Sequence, residues 1–195
     1  MSKRKQKFKK KIIELLFQII PVMIGVYLGL VVSNWSQNKQ QKEKTASLTE
    51  NIMIEVKTNR DKIANLITYH KKLRDSARHN LGTKNNKIPS FFRGIRVATL
   101  PNSAHETGIQ TGLLNEFPVE KLQILNEAYT YQDAYNKFGN ILLSSIFSMD
   151  FTDEEQSTIK ALQYLSIAMS DVVYKEKELL EAYDNILKDS LKFNR

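Results

Sequence analysis

The sequence predicts an all-α protein: an N-terminal transmembrane helix continuing into an antiparallel bundle of three long helices and one short helix. Three observations carry this. An 18-residue stretch, Leu15 to Val32, has no charge. Beyond it, apolar residues recur at steps of three and four over most of the chain, the period of an amphipathic helix. Only seven Gly and four Pro occur in 195 residues, too few for the many turns of a sandwich or barrel.

The tail comes first. The formal net charge is +8 from 29 basic and 21 acidic residues. Residues 1–11 hold seven of the basic ones (Lys3, Arg4, Lys5, Lys7, Lys9, Lys10, Lys11) and no acid, leaving 22 against 21 in the rest. The charge therefore belongs to a basic tail on a near-neutral body. Residues 12–35 form the anchor. A helix crossing roughly 30 Å of hydrocarbon needs about 20 residues, and the run Ile12–Val32 supplies one such span, polar only at Glu14 and Gln18. The run exceeds the apolar region of a signal peptide and lacks an A-x-A cleavage site, so it is expected to stay attached. Trp35 sits where an interfacial indole would anchor the outer end. Seven positive charges before the span outweigh Lys39, Lys42 and Lys44 after it, so the N-terminus is expected in the cytoplasm and residues 36–195 outside it. Gly25 and Gly29 form a G-x-x-x-G, which flattens one helix face for close transmembrane packing. Pro21 removes one backbone donor within the span.

The body follows as helices. Leu48, Ile52, Val56, Ile63, Ile67, His70, Leu73, Ala77 and Leu81 define an apolar stripe of about 40 residues, interrupted at Asn59/Arg60 and stopped by Gly82. Residues 82–103 hold Pro89, Pro101, Gly94 and an Asn pair and predict a long loop. Its centre, Phe91, Phe92, Ile95 and Val97, is too apolar to leave in solvent and is expected to pack across the bundle. Ser103-x-x-Glu106 has the form of a capping box, predicting a short helix over about 104–115. Pro118 suits the first turn of the next helix, whose stripe is Leu122, Leu125, Tyr129, Gln132, Tyr135, Leu142, Ile146 and Met149. Thr152-Asp153-Glu154-Glu155 repeats the capping box. The last helix shows Ile159, Leu162, Met169, Val173, Leu180, Tyr183 and Leu187, a repeat near 3.5 residues that also permits coiled-coil packing. Leu187 and Leu191 are candidate partner surface unless the first helix covers them.

The anchor, Phe17–Ser36, resembles that of a large bacterial membrane-protein family without an assigned activity, which reads approximately G-E-I-x-L-V-x-I-G-I-L-I-A-L-x-I-N-N-W-N. Ile19, Val22, Ile24, Gly25, Leu30, Asn34 and Trp35 match; Phe17, Gln18, Pro21 and Gly29 depart. Thr111–Leu114 with Leu122, Leu125 and Tyr129 is similar to the family's middle region. The resemblance implies a single-pass bacterial inner-membrane protein with an extracytoplasmic helical domain.

Catalytic chemistry is not indicated. The absence of cysteine removes disulfides, thiolate zinc sites and cysteine nucleophiles. His70 and His79 are nine apart, which is not a ligand spacing, and His105-Glu106 lacks a following x-x-His. Asp153, Glu154 and Glu155 fall in a first helical turn, where acids favour the dipole. Arg93 and Arg96 beside aromatics are too few on a neutral body to indicate nucleic acid. No catalytic residue, cofactor or metal is expected, and the chain is not expected to be an enzyme. The expected role is a membrane-anchored interaction or scaffold module of the bacterial envelope, held in the lipid bilayer and pairing with a second copy or another envelope protein. The alternatives are a ligand-sensing bundle that signals through a partner, or a membrane-active effector. Inward-facing Gln132, Asn136 and Glu176 would favour the sensor.

Overall fold

In a computed structural model the described residues are 3–148 and 154–190. They are helical throughout apart from one connecting segment and short turns, and the expected all-α bundle is what they form. The order is α1 (Lys3–Gly82), α2 (Ser103–Gln110), a 3-10 helix (Leu113–Glu116), α3 (Val119–Phe147) and α4 (Glu154–Ser190). The chain divides into two compact units at Ser47/Leu48, inside α1. Met149, Thr152, Asp153 and Leu191 lie outside the described residues, as do the side chains of the basic tail and of Glu154 and Glu155, and with them the second capping box.

The first unit is helix. Every described side chain from Glu14 to Gln40 is exposed, Trp35 by 67 %, and Pro21 lies inside the helix. An 18-residue window here reaches a mean hydropathy of 1.7 with nothing of it buried. This helix is long and apolar enough to cross a membrane.

The second unit is the bundle. Its α1 portion buries Leu48, Ile52, Val56, Asn59, Ile63, Ile67, His70, Leu73 and Ala77, so the gap in the apolar stripe is filled by a fully buried Asn59. Helix α4 buries Leu162, Leu165, Met169, Val172, Glu176, Leu179, Tyr183 and Ile186, a 3-4 alternation along one seam. Leu180 and Leu187 sit one position off this seam, half-buried at its flank against the core.

Residue pairs give the helix directions. On α1 and α4, Arg60 meets Asp184, His70 meets Glu176 and Arg78 meets Ser170, so these two are antiparallel. On α3 and α4, Gln132 meets Tyr183 and Tyr135 meets Glu176, again antiparallel. Helix α3 therefore runs parallel to α1, with Glu55 beside Tyr129 and Asn59 beside Gln132. Two consecutive long helices can be parallel only if the connection travels back along the bundle, and residues 83–102 do this. The strap lies in the groove between α1 and α3. It descends past Tyr69 at Gly94, Lys62 at Thr99 and Asn59 at Pro101, with Val97 over Gly139 and Leu100 beside Asn136 on α3.

The first helix ends at Gly82, the expected stop, and the left-handed residue that follows is Lys84, with φ 54°. Asn85 N–H bonds to Asn80 O at 2.9 Å and Lys84 N–H to Leu81 O at 3.3 Å, the paired bonds of a Schellman turn. One local expectation is corrected: the Ser103–Glu106 capping box does not form. The N-cap is Asn102, one residue earlier, and the Ala104 N–H is satisfied by Glu55 of α1 at 2.9 Å. The Glu106 N–H bonds Asn102 O at 2.9 Å and the Glu106 carboxylate accepts from the Asn102 amide at 3.1 Å, so Asn102 takes the place of Ser103 in both. The short helix itself stops at Gln110, because Gly112 turns left-handed at φ 71° before the 3-10 helix.

Candidate functional site

The polar residues most deeply buried in the bundle occupy seam positions on three helices, in two layers. Asn59 (α1), Gln132 (α3) and Tyr183 (α4) form the first, all at most 2 % exposed. Asn59 Nδ2 donates to Gln132 Oε1 at 3.1 Å and to Pro101 O at 2.7 Å. Gln132 Nε2 donates to Leu100 O at 3.1 Å and Pro101 O at 2.9 Å. The Tyr183 hydroxyl donates to Gln132 Oε1 at 2.6 Å. The strap explains the composition of this layer. An extended segment without sheet partners must satisfy its backbone otherwise, and side-chain amides do so. Asn136 completes the clamp, accepting from Leu100 N–H at 3.1 Å and donating to Leu100 O at 2.9 Å.

The second layer joins His70 (α1), Glu176 (α4) and Tyr135 (α3). His70 Nδ1 and Glu176 Oε1 are hydrogen-bonded across 2.7 Å with both side chains wholly buried. The Tyr135 hydroxyl donates to the same oxygen at 3.3 Å. Burial first, and then the Glu176 charge, holds the Tyr135 phenol well above its ordinary range, which keeps it a donor. His70 Nε2 and Glu176 Oε2 have no hydrogen-bond partner.

A third cluster closes the α2 end. His105 stacks on Tyr129 with ring centroids 3.9 Å apart and planes 13° apart. The Tyr129 hydroxyl donates to Glu55 Oε1 at 2.7 Å, while Glu55 Oε2 caps α2. Burial keeps the His105 imidazole below its ordinary range against the weaker pull of Asn126, Glu106 and Glu55.

Among the described residues no three His, Cys, Asp or Glu gather as metal ligands. The concavities described at the surface are lined elsewhere: one of about 440 Å³ between α1 and α2, at Leu48, Ile54, Glu55 and Ala104, and one of about 480 Å³ between α3 and α4, at Glu127, Tyr131, Tyr174 and Glu178. Neither reaches Asn59, His70 or Glu176.

No family model, no curated protein and no solved structure matches this chain.

The residues singled out in the sequence are not gathered into one site. Gly25 and Gly29 lie exposed on α1, and a Cβ at either would meet nothing within 4 Å, so among the described residues none packs on the flattened face. Leu187 flanks the core. The α4 end beside it is covered by α1 through Arg60–Asp184 and the first polar layer, leaving no apolar overhang at Tyr183 or Ile186. Gln132 and Glu176 face inward as the sensor alternative asks, yet their hydrogen bonds go to helices and strap. The His70–Glu176 pair joins two seam positions 106 residues apart. The only sequence signal for these layers was a polar residue standing where the apolar period required a large hydrophobe.

Proposed function

We propose that the protein is a membrane-anchored helical interaction module of the bacterial envelope, single-pass, with residues 1–11 cytoplasmic and the bundle outside the cytoplasm. One observation carries the reading: a helical surface from Leu15 to Val32, uncharged and apolar but for Gln18, whose described side chains are all exposed. Such a surface is stable in hydrocarbon and unstable in water. The excess of basic residues on its N-terminal flank supports the orientation, and the likeness of Phe17–Ser36 to a bacterial anchor supports the compartment. Inside the bundle the polar side chains are spent on holding α1, α3, α4 and the strap in one register, the role best attested for buried polar groups at seam positions. Interaction is then left to the outer surfaces.

Topology is tested by fusions after Arg195. A phosphatase that folds only outside the cytoplasm should be active, and a fluorescent protein that matures only inside should stay dark. The reverse pair of signals overturns the orientation, and recovery of the protein in the soluble fraction overturns the anchor. Crosslinking in membranes, followed by pull-down, tests the interaction role; a chain that crosslinks to nothing, itself included, argues against it.

A further inference from the structure

The near-neutral body conceals a separation of charge. Residues 57–96, the distal part of α1 and most of the strap, hold 11 basic and two acidic residues. Residues 97–190, from the end of the strap through α4, hold 15 acidic and six basic. The two sets differ by nine charges in each direction and cancel almost completely. Arg60 and Asp184 join across the sets at 2.8 Å, whereas Asp61 and Asp75 sit beside Arg60 and Arg74 of their own helix.

The exposed members fall on different sides of the bundle. Lys72, Arg93 and Arg96 surround the half-buried Tyr69 and Phe91 where the strap crosses α1. Lys72 Nζ stands 4.4 Å from the Phe91 ring centre and the Arg96 guanidinium 5.5 Å from that of Tyr69. Arg93 is fixed by the Ser90 and Phe92 carbonyls, each at 3.0 Å. Among the described residues none of these three cations pairs with a carboxylate. On the side away from α1, the groove between α3 and α4 carries three carboxylates, Glu127, Glu178 and Glu181, against one cation, Lys177, with Tyr131 and the 63 %-exposed Tyr174. There the Tyr131 hydroxyl donates to Glu127 at 3.1 Å and the Tyr174 hydroxyl bonds Glu178. Both faces thus present fixed charge around aromatic rings, the composition of a recognition surface, and their signs are opposite.

We propose that the bundle associates with a second copy of itself, the Lys72/Arg93/Arg96 face of one chain seated in the Glu127/Glu178/Glu181 groove of the next. The inference rests on the interaction-module reading and names the partner. A separate anionic partner would satisfy the basic face and leave the acidic groove unused; another copy satisfies both with the charges already present. The contact is heterologous, since each chain offers a different face to each neighbour, so it builds closed rings or open rows rather than a two-fold pair. Because complementary charge sets partner choice and encounter rate and is screened by salt, association should fall at least ~10-fold between 50 and 500 mM salt.

The test uses the full chain in detergent micelles, its mass distribution read by light scattering. One variant carries Lys72→Glu, Arg93→Glu and Arg96→Glu; the other carries Glu127→Lys, Glu178→Lys and Glu181→Lys. Each variant then has two faces of one sign and should be monomeric where the wild type associates, while a mixture of the two should assemble. Circular dichroism of each variant shows whether the bundle is retained. If a variant does not fold, the salt dependence of the wild type stands as the second measurement. A wild type that is monomeric at 50 mM salt, association indifferent to salt, or two folded variants that fail to assemble when mixed would each overturn the proposal. If the purified chain is monomeric while membrane crosslinking captures a different protein, self-association fails and the interaction-module reading stands; if membranes yield no crosslinked partner either, both fail.

Discussion

Replacing His70 by leucine removes one side of a contact that is wholly buried on both. Glu176 Oε1 would keep only the Tyr135 hydroxyl at 3.3 Å, and Oε2, already without a partner, would gain none. Breaking a buried pair in this way costs about 3–5 kcal/mol, because the remaining polar group stays desolvated. Glu176→Leu strands the His70 Nδ1 and the Tyr135 hydroxyl instead, at about 2–3 kcal/mol. The double variant His70→Leu/Glu176→Leu leaves only Tyr135 to be satisfied and restores an apolar seam, so its cost should be about 1–2 kcal/mol. The two single effects therefore sum to far more than the double, with a coupling of about 3 kcal/mol or more. For a body of this size each kcal/mol moves the melting temperature by roughly 2–4 °C. His70→Leu should then melt about 6–20 °C below the wild type, and the double variant should recover most of that loss. Guanidinium and thermal unfolding of the four full-length proteins in detergent, followed by circular dichroism, supply the cycle. Single variants within 1 kcal/mol of the wild type, or strictly additive effects, would refute the reasoning that the second layer acts as one unit.

Three further outcomes follow from the same structure. Gly139→Ala places a Cβ 2.5 Å from Val97 Cγ1, so despite the ~1 kcal/mol gain in helix propensity it should destabilise by about 1 kcal/mol net through overpacking; in a Val97→Ala background the same change should become stabilising, as urea unfolding would measure. His105 is held below its ordinary pKa by burial, so below about pH 6.5 the unfolded chain takes up a proton that the folded one resists, and stability should fall as pH drops through that range. His105→Phe, which keeps the stack on Tyr129, should flatten this part of the stability–pH profile. Gly25→Ile with Gly29→Ile should weaken crosslinking of the full chain in membranes by roughly tenfold if helices pack through this face, with the melting of the bundle unchanged because a Cβ at either glycine meets no described residue within 4 Å; undiminished crosslinking would remove the membrane contribution.

Much of this architecture is local and therefore legible from order along the chain. The long apolar helix near the N-terminus follows from hydropathy and length, because an unbroken run of helix-compatible apolar residues needs no partner elsewhere in the chain to declare itself. The helices follow from apolar spacing, because a helix buries a stripe whatever it packs against. Even the break at Asn59 was visible, as a polar residue at a position where the period called for a large hydrophobe. Only the tertiary structure decided what such breaks do. Asn59 and Gln132 are seam residues 73 positions apart, and no local rule states that both will hold the carbonyls of a strap. The strap's course determines that α3 runs parallel to α1, and it depends on side-chain amides reaching a backbone that has no ladder of its own. The caps show the same limit: Ser103 and Glu106 have the right spacing for a box, yet Glu106 bonds Asn102 through both its N–H and its carboxylate, and Glu55, brought from another helix, takes the Ala104 N–H. Sequence determines what each segment needs buried or satisfied; which group satisfies it is decided by what the fold places within 3 Å, a competition among partners distant in the chain.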